Sequence, residues 1–220
     1  LRAQPPGGVR QQKLLAESPR SSEGIAHFTA WLERRRSTVE AGSQPSIVAR
    51  TMTELSKLPV SPPCSAAVES TGPDRASRPR GPRFGTLVHA VLAHAPFDAG
   101  RAELTALSTS LSRLIGATAE ESGAAVDAAA AALSHPLMRA AAASCDARRE
   151  VVVAEHRADG SVAEGVIDLA YRTESAWVVV DFKTDEFVPT EGAYAEQLRL
   201  YVEALQRATG EPARGVLLQV

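Results

Sequence analysis

The sequence predicts an α/β domain: a mixed sheet flanked by helices, in the order α-β-β-β-α-β, preceded by a helical and linker segment. Three observations predict it. A helical period governs residues 86–143, gives way after residue 150 to three short β-branched runs, then returns for one long helix before a last apolar run. Ten of the 14 prolines fall before residue 86, so the organised part is expected to begin there. With 220 residues, 44% of them hydrophobic and 23% charged, the chain suffices for one large domain, or an ordinary one with a flank, and for a sizeable core.

Residues 22–36 fit one amphipathic helix, with Ile25, Phe28 and Leu32 on one face and Trp31 beside them. No core is visible for it, so residues 1–57 are expected to be the trailing part of an upstream region. Residues 58–83 (LPVSPPCSAAVESTGPDRASRPRGPR) show no period and read as a mobile Pro/Arg-rich linker. The domain proper is expected over 84–220. Gly85 precedes a helix whose stripe is Leu87, Val88, Val91 and Leu92, with Thr86 as its cap. Residues 101–117 and 124–143 are Ala- and Leu-rich helices broken at Gly116 and Gly123, and Pro136 opens a further turn. Strands are expected at 150–156, 162–171 and 176–183, separated by turn signals at Asp159-Gly160 and Thr173-Glu174-Ser175. A helix over about 193–208 is ended by Gly210 and Pro212, and residues 215–220 (GVLLQV) form the last strand.

Composition excludes several classes. There is no run of 18 apolar residues, hence no transmembrane helix. The chain starts at Leu1 with no signal-peptide pattern and is read as a piece of a longer, cytoplasmic protein. Two distant cysteines, Cys64 and Cys145, cannot form a disulfide scaffold, a Cys-ligated zinc finger or a four-cysteine iron–sulfur cluster, and fit a reducing compartment. Residues 1–85 carry 13 Lys+Arg against 7 Asp+Glu, a balance of +6; residues 86–220 carry 11 against 19, a balance of −8. A basic leader beside an acidic body suits nucleic-acid contact next to a metal site, and equally suits chance.

Asp168 and Asp181 each interrupt an apolar strand, in VIDLA and VVVDFK. An unpaired buried charge is expensive, so a strand Asp asks for a partner. In a tight hairpin the numbers of facing residues add to a constant, which is 349 for a turn centred near 174.5, and 168 with 181 satisfies it. The carboxylates would then face each other at about 5 Å between Cβ atoms, where a divalent cation relieves their repulsion. Lys183 is one of only three lysines against 21 arginines and shares a strand face with Asp181. Its compact ammonium suits a water or a developing phosphate charge, or simply a salt bridge to Asp181 or Asp185. Gln197 and Tyr201, at i and i+4, share a helix face and either pack on the sheet or reach a phosphate. His89 alone reads as an ordinary helix histidine. Glu150 and Glu164 read as surface carboxylates.

Four blocks taken together resemble the PD-(D/E)XK nuclease superfamily, and within it the RecB/AddA-like exonuclease domain at the C-terminus of UvrD/RecB-type helicase–nucleases. Gly85-Thr-Leu-Val-His89 resembles the family's G-x-x-x-H helix, Glu164-Gly-Val-Ile-Asp168 its G-x-[IV]-D strand, Asp181-Phe-Lys183-Thr184 its D-[YF]-K-T, and Gln197-Leu-Arg-Leu-Tyr201 its Q-L-x-x-Y helix. The resemblance spans about 83–220. It implies a restriction-endonuclease-like core and a metal-dependent DNA exonuclease acting in double-strand-break repair and recombination. His89, Asp168, Asp181 and the carbonyl of Phe182 would ligate Mg²⁺ or Mn²⁺. Lys183 would position and polarise the attacking water, Gln197 and Tyr201 would brace the site and contact the DNA backbone, and Glu150 would be an outer-shell acid. No iron–sulfur cluster is expected. Linear DNA ends with single-stranded tails, a covalently linked upstream helicase domain and an AddB- or RecC-like subunit are the implied partners, with no membrane. No Walker A motif occurs, so ATP-driven unwinding would belong to upstream sequence. The alternative is a catalytically silent nuclease-fold module that binds DNA or docks a partner.

Overall fold

The computed structural model describes residues 19–59, 64–72 and 78–220. The chain divides into two units, one up to Ser46 and one from Ile47 to Val220. In the first, helix α1 (Pro19–Ser43) extends well past the expected 22–36. Ile25, Phe28, Trp31 and Leu32 are exposed on it, and the Phe28 and Trp31 rings stack at 6.0 Å. No described helix is long and apolar enough to cross a membrane.

The second unit begins earlier than the sequence suggests. Strand β1 (Ala49–Thr51) is followed by a single turn, α2 (Met52–Leu55), capped at both ends of its first turn by Thr51 and Glu54. Strand β2 (Ala67–Ser70) lies inside the expected linker; that linker's residues 60–63 and 73–77 lie outside the described residues. Both strands are short, mostly exposed and without alternation. What makes them strands is a tertiary partner, which sequence periodicity does not register.

Helix α3 (Pro82–His94) starts four residues before the expected Thr86, with Pro82 in its first turn; Thr86 bonds back to the Pro82 carbonyl instead of capping. Then come α4 (Arg101–Ile115), α5 (Ala119–Ser134) and α6 (Pro136–Ala143). Gly116 ends α4 in the left-handed region, as glycine allows. Gly123 does not break a helix: Thr118 and Glu121 form a capping box that starts α5 ahead of it. Strands β3 (Ala147–His156), β4 (Val162–Arg172) and β5 (Trp177–Lys183), helix α7 (Ala193–Thr209) and strand β6 (Ala213–Gln219) complete the expected α-β-β-β-α-β order.

The six strands form one mixed sheet in the order β1-β4-β5-β6-β2, with β3 also paired to β4. Helices α3 to α6 pack on one face, against Leu169, Tyr171, Val178, Val180, Phe182 and Leu218. Helix α7 and Met52 of α2 pack on the other, against Ile167, Ala170, Val179 and Leu217. Two glycines let α7 approach. A Cβ on Gly215 would lie 2.5 Å from Leu198 Cγ, and one on Gly165 would lie 2.6 Å from Tyr201 Cε1.

Gly215→Ala is therefore expected to destabilise the chain by about 1–3 kcal/mol. In urea denaturation the double variant Gly215→Ala/Leu198→Ala should lose less than the sum of its single variants, because the second truncation clears the clash.

Candidate active site

The site grows out of an interruption in the sheet. One edge of β4 pairs with β1 over Val162–Glu164 and with β5 over Leu169–Arg172. Residues 165–168 between them have neither strand as a partner. The β4–β5 register is the one read from the hairpin arithmetic, running from Arg172↔Trp177 to Leu169↔Val180, and it stops one pair short of Asp168 and Asp181. Where the next ladder bond would form, the Phe182 N–H donates to Asp168 Oδ2 at 2.7 Å. A carboxylate of β4 has replaced a β4 carbonyl as the acceptor.

Alternation fails at the same place. On β4, Ala163 and Ile167 face α7, yet Ala170 faces α7 too, while Leu169 and Tyr171 face the α3–α6 layer. The strand reverses its facing at Asp168. Strand β3 reverses with it: Ala147 faces the α3–α6 layer, whereas Val151 and Val153 face α7. Register is kept throughout, with Arg149↔Leu169 and Val151↔Ile167 flanking the position where Glu150 would meet Asp168. Glu150 has φ +50°, the one positive φ among the described non-glycine residues. Strained backbone of this kind costs of order 1–3 kcal/mol and persists where the surroundings enforce it. Reading Glu150 as a surface carboxylate at a strand start misses this: β3 begins at Ala147 and Glu150 sits inside it.

The expected residues come together as follows. His89, on α3, meets Asp168 Oδ1 through Nδ1 at 3.0 Å. Asp181 is 4% exposed, and its Oδ2 has no hydrogen-bond partner. Lys183 Nζ stands 2.7 Å from that oxygen, an ion pair without hydrogen-bond alignment. The ammonium instead donates to Gln197 Oε1 at 3.1 Å and lies 4.4 Å from the centre of the Tyr194 ring. Gln197 Nε2 donates to Tyr201 OH at 3.1 Å and to Thr53 Oγ1 at 2.9 Å. Tyr201 is 4% exposed. Gln197 and Tyr201 thus lie buried under the sheet, hydrogen-bonded to each other, with Gln197 also bonded to Lys183 and Thr53. Glu150 lines a cleft of about 510 Å³ with Gly85, Thr86, His89, Ala90, Ala93 and His94. Glu164 pairs with Thr51 and Ala154 and stays outside the cluster.

Burial pushes the Asp181 carboxyl up to about 6, and Asp168 adds to the rise against the opposing Lys183. The same cause, with Asp168 again contributing, raises Glu150. Burial acts to lower His89, but the bond to Asp168 and that carboxylate's charge outweigh it and hold the imidazole above its ordinary value. Burial also drives the Tyr201 phenol up to about 12.

Two supporting residues, Thr53 and Arg149, escape sequence reading, and a third, Thr184, is read there only as the end of a block. Thr53 comes from a segment assigned upstream. Thr184 takes the close approach of α3, since a Cβ on Gly85 would be 3.1 Å from its Oγ1. Arg149 stacks 3.9 Å over the Phe97 ring and bonds the Ala95 carbonyl that ends α3, while its Nε and Nη2 have no partner. Burial lowers its pKa.

Among the described residues, no three His, Cys, Asp or Glu side chains converge as a ready cation cage. The donor set nevertheless fits a hard divalent cation. A carboxylate oxygen that accepts no hydrogen bond and faces only the Lys183 ammonium sits in a buried site next to a second carboxylate and an imidazole, and oxygen donors of this type are what Mg²⁺ and Mn²⁺ take. A model of the PD-(D/E)XK nuclease superfamily matches residues 66–220. The chain belongs to that superfamily. Its match begins at the residue before β2, so the family's extent includes the strand that sequence reading placed in a linker. No curated protein matches the chain.

The raised Asp181 means that the folded chain binds a proton there more tightly than the unfolded chain does. In chelator, stability is then full below the ordinary value of 3.8 and falls as pH rises through about 6. Asp181→Asn is expected to remove this loss, making the variant more stable relative to the parent at about pH 7.5 than at about pH 4. Urea denaturation in EDTA checks it, and an equal difference at both pH values would refute it.

Proposed function

We propose that this chain is the metal-dependent DNA exonuclease domain of an ATP-dependent helicase–nuclease that acts in double-strand-break repair and recombination. The observation that carries the reading is the Asp168–Asp181–Lys183 cluster at the interrupted β4–β5 ladder, with Asp181 Oδ2 buried and faced by the Lys183 ammonium without a hydrogen bond. A fold that only bound DNA would have no reason to keep a buried carboxylate whose surroundings disfavour its charge even with an ammonium beside it. The silent-module alternative is weaker for the same reason.

His89, Asp168, Asp181 and the Phe182 carbonyl are the groups that would hold Mg²⁺ or Mn²⁺. When bound, such a cation supplies Lewis acidity at the scissile phosphate. The chain's own residues do the rest. Lys183 is held by Gln197, which Thr53 and Tyr201 hold in turn, so its ammonium is presented at a fixed point beside Asp181. There it orients and polarises the attacking water and meets negative charge developing on the phosphate. Water adds at phosphorus and the bond to the 3′ oxygen breaks, the water's protons ending on solvent and the leaving oxygen. The phosphodiester is the group engaged, so recognition is independent of base sequence.

An upstream helicase domain joined through the N-terminal segment, an AddB- or RecC-like partner subunit and a cytoplasmic setting complete the proposal. They rest on the resemblance of the four sequence blocks.

Asp181→Ala should abolish metal-dependent degradation of linear DNA, and Lys183→Ala should lower its rate by on the order of 10²–10³-fold. Release of acid-soluble nucleotides from end-labelled DNA measures both. Cleavage undiminished in Asp181→Ala would sink the assignment. Mg²⁺ or Mn²⁺ is also expected to raise the melting temperature of the wild-type chain and not that of Asp181→Ala.

A further inference from the structure

Resting on the nuclease reading above, we propose that β1 and α2 form a strap that arms Lys183, with Thr53 as the positioning residue. Gln197 has one amide oxygen and two amide hydrogens to place. Its Oε1 accepts from Lys183 Nζ at 3.1 Å, and its Nε2 donates to Tyr201 OH at 3.1 Å and to Thr53 Oγ1 at 2.9 Å. Tyr201 belongs to the same helix, so that bond moves with Gln197. Thr53 is the acceptor that comes from another segment. It holds the nitrogen end of the amide, which leaves the oxygen end for the ammonium. Without Thr53, one N–H of a side chain that is 8% exposed loses its acceptor. Rotating the amide to find another turns N–H groups toward a cation that can only donate.

The strap is lightly attached. Strand β1 meets β4 over three residue pairs, from Ala49 to Thr51, and all three of those residues are exposed. Helix α2 is one turn, preformed by its own capping box, and is seated by two buried side chains, Met52 and Leu55. Met52 sits where Gly165 leaves room, since a Cβ there would lie 3.3 Å from its Sδ. Beyond Leu55 the seating is incomplete: a cleft of about 280 Å³ opens between residues 56–59, Cys64 and the start of α7. Segments with few ladder bonds and few buried side chains open locally at far less cost than a sheet does. The strap also lies ahead of the matched residues 66–220, and residues 44–48 join it to α1. A displacement of the chain upstream therefore reaches Thr53 first among the residues of the site. Lifting α2 frees Gln197, and with it Lys183.

The test uses the full chain. Its three lysines are residues 13, 57 and 183, so trace acetylation in EDTA, read by mass spectrometry, reports Lys183 against Lys13 in the same molecule. Thr53→Val keeps the shape and loses the acceptor. It should raise Lys183 labelling by about 2- to 12-fold, and Thr53→Ser should bring it back. With Mg²⁺ and linear DNA, Thr53→Val should lower kcat by about 10- to 100-fold at unchanged KM, and Thr53→Ser should recover the rate. In a Lys183→Ala chain Thr53→Val should cost nothing further. Leu55→Asp, which unseats α2, should raise labelling at least as far as Thr53→Val does; Leu55→Ser takes its place if that chain does not fold. Equal Lys183 labelling in wild-type and Thr53→Val chains would overturn the positioning, and so would an equal loss of rate with and without Lys183. A folded Leu55 variant that labels like wild type would overturn the strap. Each of these leaves the nuclease reading standing. If the wild-type chain does not degrade DNA, the nuclease reading fails, and the labelling still decides whether Thr53 holds Lys183.

Discussion

A four-residue gap in strand pairing is the constraint on which the rest depends. Strand β4 is long enough to serve two neighbours on one edge, and between them residues 165–168 have no ladder to join. A sheet interior cannot leave its amides without acceptors, so the Phe182 N–H takes the side chain of Asp168 instead. That single exchange brings a carboxylate into line with the strands at the point where Asp181 is buried. It also ties the third member, His89, to the sheet through Oδ1 of the same group.

Two layers support this gap from opposite faces. From one side α3 contributes His89, and its closeness depends on Gly85 against Thr184. From the other side α7 contributes Gln197 and Tyr201, and its closeness depends on Gly165 and Gly215. Lys183 is reached from α7, Asp168 from α3, and the buried charge of Asp181 lies between them. The electrostatics follow from that placement: each of the acidic groups with a resolved rise, Asp181 and Glu150, is lifted first by burial and then by Asp168. Groups whose environments disfavour their own charge cluster at functional sites.

Much of the site was legible because its signals are local. An Asp in a run of valines, a rare Lys two residues on and a tight turn with a countable centre are all contained in about 20 residues, and the hairpin register follows from them. The reversal of facing at Glu150 and Asp168 was not legible, since two strands distort together and each looks regular alone. Thr53 was hidden for another reason. It belongs to a single turn after a three-residue strand, and nothing in residues 49–55 reveals that β4 has an unfilled edge waiting for them.

The amino-acid order by itself determined the succession of helices and strands from α3 to β6, the register of the hairpin that leads up to Asp168 and Asp181, and the family to which 66–220 belongs. Periodicity and short-range geometry are enough for these, because each is settled within a few residues of its own signal. The tertiary structure alone decided that β1 and β2 join the sheet, that Tyr201 and Gln197 are buried and hydrogen-bonded to each other, and that Asp168 gives one oxygen to a backbone amide. Those outcomes turn on which edges are left unpaired and which side chains can approach a glycine, and both are set only when distant segments meet.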